Sequence, residues 1–272
     1  MIPRRIFVSA ILIFTIYSAA GSLPGRAQNR QPGAFYTQPA KVGLDGLIRR
    51  RFSEYYIKRD YGWETLITEG FYPIGWSKDG KFAYYSEPGD EACDCYFAKL
   101  IILDLVSDKV LWSFDYDSGN AEGEGRKNPP TTINTVWKEN RKLFSNKLRE
   151  HNIVPQRPFS LLLFPIKQAG DQLTTELKIK ENKDEETRLY GIVNQATLQL
   201  ISRRNGKKTI LDKTYDTETD PSPLDLKVLG YTKSPFEPRI AVVMIEIHRG
   251  YEGPPHTTHI KIVGSSLSSG FK

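Results

Sequence analysis

The chain has 272 residues, and its 38 Lys and Arg against 32 Asp and Glu give a formal net charge of +6. Hydrophobic residues make up 39% of the chain, an ordinary value for a globular protein, and the length suits one large β domain or two small ones. The positive excess is small and forms no dense basic stripe, so the composition argues against a nucleic-acid partner.

The N-terminus has the pattern of a signal peptide. Arg4 and Arg5 precede an apolar run over residues 6–17, and small residues at 18–20 suit a cleavage site. The run is shorter than the roughly 20 residues that a membrane-spanning helix needs. We therefore predict a signal peptide over residues 1–20, a secreted or periplasmic location and no stable membrane span after cleavage. A single N-terminal membrane anchor is the alternative.

The next segment separates this leader from the folded domain. Residues 21–43 are rich in Gly, Pro, Gln and Ala, which predicts a flexible linker. We expect a single β-rich domain over residues 44–268. At its start, apolar residues recur at helical spacing from Leu44 to Tyr56, which predicts a short amphipathic helix.

A run of strands follows. The turn at Asp79-Gly80 precedes the apolar segment KFAYYSE (81–87), and residues 98–119 have the pattern strand–turn–strand. Three consecutive antiparallel strands are close to one blade of a β-propeller. The segment 229–246 repeats the glycine-aromatic lead of residues 74–87 before another apolar strand. The pattern therefore predicts blade-like pieces.

A helix interrupts this β pattern. Residues 118–132 are predicted to form a loop, and apolar residues then recur on one side of a helix over about 134–151. Asn134 is a suitable N-cap, and Pro155 lies just beyond the helix end. We expect this amphipathic helix to cover an open face or edge of the sheet.

The remaining sequence again favours strands. Apolar or alternating segments occur at 159–166 and 173–180, and a hairpin is predicted around Asn205-Gly206. Residues 239–248 and 258–264 predict a final hairpin. The predicted fold class is mainly β, with antiparallel blade-like hairpin sheets and one covering amphipathic helix. Because the helix interrupts any regular array, we expect an incomplete propeller-like or sandwich arrangement.

Two short segments carry a resemblance to known sequences. The first contains Gly75, Ser77 and the Asp79-Gly80 turn before a strand, and the second is RGYEGPPH (249–256) after a late strand. Together they resemble uncharacterised predicted secreted bacterial proteins with β-propeller-like blade motifs, which are grouped as domains of unknown function. The resemblance implies export and a β-rich fold, and it transfers no functional residue.

The two cysteines of the chain lie one residue apart in EPGDEACDCYF (87–97). Thiols of exported proteins usually oxidise, which favours a disulfide between Cys93 and Cys95 as a staple or a redox pair. Its ring would be very small, and strained disulfides are easily reduced. Two alternatives remain open: a soft or borderline metal held with nearby carboxylates, and free or partner-linked thiols.

Three of the four histidines lie within HRGYEGPPHTTH (248–259). Across a hairpin, His248 can lie near His256 or His259, and Glu252 in the turn can add a carboxylate. These ligands suit zinc or copper, so the six candidate metal residues are Cys93, Cys95, His248, Glu252, His256 and His259. However, His256 and His259 are three apart and face opposite ways on a regular strand. The alternative is a rigid Pro-Gly turn with surface histidines.

The sequence contains no serine elbow, HExxH motif, Walker loop or dinucleotide fingerprint. This favours an exported, non-catalytic binding or structural protein of the cell envelope, with an envelope protein or a glycan as its partner. One alternative is a metal-binding or redox protein that uses Cys93 and Cys95 or the histidine cluster. Another is a secreted hydrolase, whose two acids can be far apart in sequence.

Overall fold

A computed structural model describes the chain over residues 35–60, 62–91, 93–168, 170–216, 221–251 and 253–272. The predicted signal peptide and the first part of the predicted linker lie outside these residues. Residues Phe35–Lys272 form one compact unit. Within the described part of the chain, no helix has the length and apolarity that a membrane span requires.

The described residues form short helices and longer strands. The helices are α1 (Asp45–Arg51), α2 (Ser118–Gly123), α3 (Ile133–Glu139), α4 (Arg141–Glu150) and α5 (Glu185–Tyr190), with a 3₁₀ turn at Ser53–Tyr55. The strands are β1 (Ile57–Arg59), β2 (Gly62–Glu64), β3 (Leu66–Ile67), β4 (Gly70–Trp76), β5 (Lys81–Glu87), β6 (Phe97–Asp104), β7 (Lys109–Asp117), β8 (Val154–Pro155), β9 (Ile166–Gln168), β10 (Asp171–Glu181), β11 (Val193–Ser202), β12 (Gly206–Thr214), β13 (Asp225–Lys233), β14 (Arg239–His248) and β15 (His256–Ser266).

Three sheets dominate the domain. Sheet I has the strand order β7-β6-β5-β4-β8, sheet II has β13-β14-β15-β3, and sheet III has β12-β11-β10-β9. Apart from β3, which joins β15 in parallel, all pairs within these sheets are antiparallel. Strands β1 and β2 form a separate small hairpin. The predicted mainly β class with antiparallel hairpin sheets is confirmed, and the arrangement fits an incomplete propeller-like or sandwich fold.

The sheets pack face to face, with sheet II in the middle. Phe71 and Phe82 of sheet I share a core with Val243 of sheet II, whereas Leu198 of sheet III shares another core with Val242. Neighbouring residues of β14 therefore enter different cores, because side chains alternate along a strand. This explains why RIAVVMIEIH is apolar almost throughout, with residues 240–247 all buried.

Helices α3 and α4 cover the outer face of sheet I, as predicted. Trp137 and Phe144 pack there, and the Phe144 ring lies 4.9 Å from the ring of Phe114. The single helix predicted over 134–151 is wrong in detail, because the helix is interrupted at Asn140. The N-cap is Thr132 rather than Asn134, and its hydroxyl accepts a hydrogen bond from a backbone amide of the first turn.

The chain returns to sheet I after these helices. Strand β8 pairs with the end of β4, where Gly75 lies opposite Pro155. A Cβ atom on Gly75 would lie 2.0 Å from the carbonyl oxygen of Val154, so this pairing requires glycine. The predicted turn at Asp79-Gly80 forms between β4 and β5, with Gly80 at φ +85°.

Two segments predicted to lack regular structure are held by specific contacts. Within the predicted linker, residues 35–43 pack against the domain: the Tyr36 hydroxyl donates to the carbonyl of Ile153 at 2.5 Å, and Val42 forms a bridge with Phe71. The loop predicted over 118–132 contains α2. The buried Tyr36 stabilises the first segment, and the capping carboxylate of Asp117 stabilises α2 in the second. Both form despite the Gly and Pro residues of these segments.

Candidate functional site

An open groove of about 930 Å³ lies beside the ends of β6 and β7. One wall comes from residues 88–90 after β5, and another from residues 115–126, which include the end of β7 and α2. Phe97 and Lys99 of β6 and His259 of β15 complete the lining. The groove therefore lies where side chains of sheets I and II meet.

The register of β6 and β7 determines which side chains line the groove. Phe97 pairs with Asp117 and Lys99 with Asp115, so all four lie on one face of this hairpin. The Lys99 ammonium lies 3.5 Å from the Asp115 carboxylate, and about half of each side chain is exposed to solvent. Such an exposed pair contributes little to stability, so its charges remain available to a ligand.

Helix α2 forms one side of the groove. The carboxylate of Asp117 caps it by accepting hydrogen bonds from the backbone amides of Gly119 at 2.8 Å and Asn120 at 3.3 Å. Asn120 thereby lies against the groove. A Cβ atom on Gly119 would lie 2.8 Å from the sulfur of Cys95, so the start of α2 packs closely against the cysteine loop.

The two cysteines form a disulfide between Cys93 and Cys95. The loop that carries them is held by Asp90, whose carboxylate accepts a hydrogen bond from the Cys93 amide at 2.8 Å. Glu91 in the same loop accepts a hydrogen bond from the backbone amide of Tyr251. The cysteine segment (87–97) and the histidine segment (248–259) are therefore neighbours in the fold.

The histidines separate into two environments. The rings of His248 and His259 lie 4.4 Å apart, across the β14–β15 pair. His256 does not join them: its Nδ1 accepts a hydrogen bond from the Gly250 amide at 3.2 Å, and its ring meets that of Tyr55 edge-on. Glu252, the predicted fourth ligand, lies outside the described residues.

A buried carboxylate lies beside His248 and His259. Glu246 accepts hydrogen bonds from the Tyr215 hydroxyl at 2.5 Å and, at 3.4 Å, from His248, and the Lys261 ammonium lies 3.2 Å away. Burial alone would raise the pKa of Glu246, but His248 and Lys261 hold it at about 2. Burial and the neighbouring His248 lower the pKa of His259 to about 4, so this ring is neutral at pH 7.

A second buried carboxylate, Glu69, has a raised pKa, in contrast to Glu246. It lies between β3 and β4 and accepts a hydrogen bond from the Ile260 amide at 2.5 Å, while its own amide donates to the Thr258 hydroxyl. Burial raises the pKa of Glu69 to about 7, against the opposing effects of the Ile260 amide and the Lys99 charge. Neither Glu69 nor Glu246 stands out in the sequence, because only tertiary packing buries them.

A tyrosine cluster anchors the loop that enters the groove. Glu87, just before that loop, accepts hydrogen bonds from the hydroxyls of Tyr72 and, at 2.7 Å, Tyr96. The Tyr96 and Tyr85 hydroxyls are 3.0 Å apart. Burial and Glu87 raise the pKa of Tyr96, so its hydroxyl stays protonated and keeps its role as donor. These hydrogen bonds to Glu87 therefore hold the start of the groove wall at residues 88–90 in place.

The structure describes five of the six predicted metal residues, and these five do not gather at one point. Both sulfurs are engaged in the disulfide, and His256 lies apart from the other two histidines. Among the described residues, no three His, Cys, Asp or Glu side chains are grouped so that they could hold a metal ion. Comparisons with protein-family models, curated proteins and solved structures find no match to this chain.

Proposed function

We propose that the protein is an exported, non-catalytic binding protein of the cell envelope and that its groove takes a glycan. The supporting observation is the composition of the groove, where the aromatic side chain of Phe97 lies among Asp115, Asn120 and Lys99. Aromatic faces pack against the C–H faces of sugar rings, while carboxylate, amide and ammonium groups hydrogen-bond to sugar hydroxyls. The predicted signal peptide supports export.

The shape of the groove also suits a chain-like ligand. It is open and about 930 Å³ in volume, which lies at the upper end of the range for small-molecule sites. Two of its walls are held in place by local contacts: Asp117 caps α2, and Tyr72 and Tyr96 hold Glu87 ahead of the other wall. A preformed groove loses little conformational entropy when it binds a ligand.

The test is a binding screen with defined saccharides. Soluble β-1,4-linked oligomers of glucose and of N-acetylglucosamine are examined by saturation-transfer NMR, and any binder is titrated. Aromatic contacts contribute about 0.5–1.5 kcal/mol, so Phe97→Ala is expected to weaken binding about two- to twelvefold. Tyr190→Ala is the matched control, because this tyrosine of α5 is 72% exposed and lies outside the groove lining.

Two results would contradict the proposal. One is the absence of binding to either oligomer series at millimolar concentration, and the other is unchanged affinity in Phe97→Ala. Cleavage of a bound oligomer would instead support the hydrolase alternative. In that case Asp115→Asn, which removes one groove carboxylate, is the first variant to assay for lost turnover.

A further inference from the structure

The two cysteines of the disulfide differ in their surroundings. Cys93 is exposed to solvent, whereas Cys95 is half-buried. A Cβ atom added to Gly119 would lie 2.8 Å from the Cys95 sulfur, so the start of α2 lies against this sulfur. An incoming thiolate therefore reaches Cys93 more easily than Cys95. Exposed disulfides are in general the more easily reduced ones.

The disulfide links the two walls of the groove. On one side, the carboxylate of Asp90, which lines the groove, accepts a hydrogen bond from the Cys93 amide at 2.8 Å. On the other side, Cys95 packs against Gly119, whose neighbour Asn120 also lines the groove. Each of the two cysteines therefore contacts a different wall.

A third contact joins the cysteine loop to the turn between β14 and β15. Glu91 accepts a hydrogen bond from the Tyr251 amide, and a Cβ atom on Gly250 would collide with the Glu91 carboxylate. Glycine at position 250 thus makes room for this contact. Residues 88–91 and 93–96 belong to no helix or strand, so their position depends on side-chain contacts such as these and on the disulfide.

We propose that the Cys93–Cys95 disulfide is a redox switch for the groove. In the disulfide form, the bridge keeps Asp90 and the start of α2 in the positions that the structure shows. Reduction opens the bridge, so that the cysteine loop moves more freely and both walls are held less firmly. The expected loss of affinity rests on the proposed glycan site, whereas the loosening of the walls does not.

The reductant is a protein dithiol, and the exchange is a two-electron reaction. One thiolate of the reductant attacks the Cys93 sulfur, which forms a mixed disulfide and breaks the bond to Cys95. The Cys95 sulfur leaves with the electron pair and takes up a proton. The second thiolate of the reductant then attacks its own partner sulfur in the mixed disulfide and releases Cys93, which also takes up a proton. The reductant ends as a disulfide, and both cysteines of the chain end as thiols.

Amide exchange measured by NMR, with and without a phosphine reductant, tests the loosening of the walls. Alkylation followed by intact-mass measurement checks that both thiols are free. Reduction should speed the exchange of the Cys93, Gly119 and Tyr251 amides about tenfold, because each donates to a carboxylate in or beside the cysteine loop. The Lys207 amide, which donates to Lys272 on the β12 edge, is the matched control and should exchange equally fast in both states.

Titration with the tightest-binding oligosaccharide of the screen tests the switch itself. The reduced protein is expected to bind about tenfold more weakly than the disulfide form. Cys93→Ser combined with Cys95→Ser should match the reduced protein in exchange and affinity, and the reductant should not change it further.

Two results would overturn the proposal: exchange of the three amides that is unchanged by reduction, or equal affinity of the two states for a bound oligosaccharide. If neither state binds an oligosaccharide, the glycan proposal is contradicted. The exchange measurement then still decides whether the disulfide holds the two walls.

Discussion

The buried carboxylate of Glu69 leads to a prediction about how stability depends on pH. Its pKa is raised from 4.5 to about 7 in the folded protein. Between these two pH values, the unfolded chain has released the proton while the folded chain still holds it. Folded stability therefore falls as the pH rises through this window. At about 1.36 kcal/mol per pKa unit, the loss amounts to about 3 kcal/mol once the pH is above 7.

Replacing Glu69 by Gln removes this titration with little change in shape. The amide oxygen can still accept the hydrogen bond from the Ile260 amide, and the backbone contact to Thr258 is unaffected. We therefore compare the free energies of unfolding of Glu69→Gln and the unmodified protein. The difference between them should change by up to about 3 kcal/mol in favour of the variant as the pH rises from 4 to 8.

Urea denaturation at half-unit steps from pH 4 to pH 8.5 measures this difference. Other groups that titrate in the window, including Asp108 with a pKa of about 6, contribute to both proteins and cancel in the comparison. A difference that stays constant across the window would contradict a titration of Glu69 in this pH range, as would one that moves in favour of the unmodified protein as the pH rises.

The other predictions concern separate parts of the structure. Glu246→Gln should destabilise the protein by about 3 kcal/mol at pH 7, since the pKa of Glu246 is lowered from 4.5 to about 2, and the difference measured by urea denaturation should shrink as the pH falls below 4.5. Phe144→Ala should cost about 3–5 kcal/mol in the same assay, because this fully buried ring joins α4 to sheet I; a cost below 1 kcal/mol would contradict that packing. Cys93→Ser combined with Cys95→Ser should cost only about 1–2 kcal/mol in thermal unfolding, because the cysteines are two positions apart and their bridge closes a short loop; loss of folding would contradict this.

The strands that the sequence predicts well have a clear periodicity. Trp112, Phe114 and Tyr116 alternate with polar residues, and the structure places these three aromatic side chains half-buried on one face of β7. The apolar run of β14 predicts a strand, and the structure places this strand between two cores. In both strands, the distribution of apolar side chains carries the information about burial.

The groove is harder to predict, because it depends on contacts between distant segments. Helix α5 depends instead on a short-range cap, because the Asp184 carboxylate accepts a hydrogen bond from the Thr187 amide at 2.7 Å. In the groove, the loop at 88–90 and the strand residue Lys99 meet His259, which is 160 positions further along the chain than Lys99. No spacing in the sequence indicates such a meeting.

We propose that the groove between the cysteine loop, α2 and His259 binds a glycan. Hydrogen–deuterium exchange, measured with and without the tightest-binding oligosaccharide of the screen, tests it most directly. We predict slower exchange in residues 88–91 and 115–126, with unchanged exchange in the β12 edge. Protection confined to other segments, or no protection at a saturating concentration of the oligosaccharide, would contradict the claim.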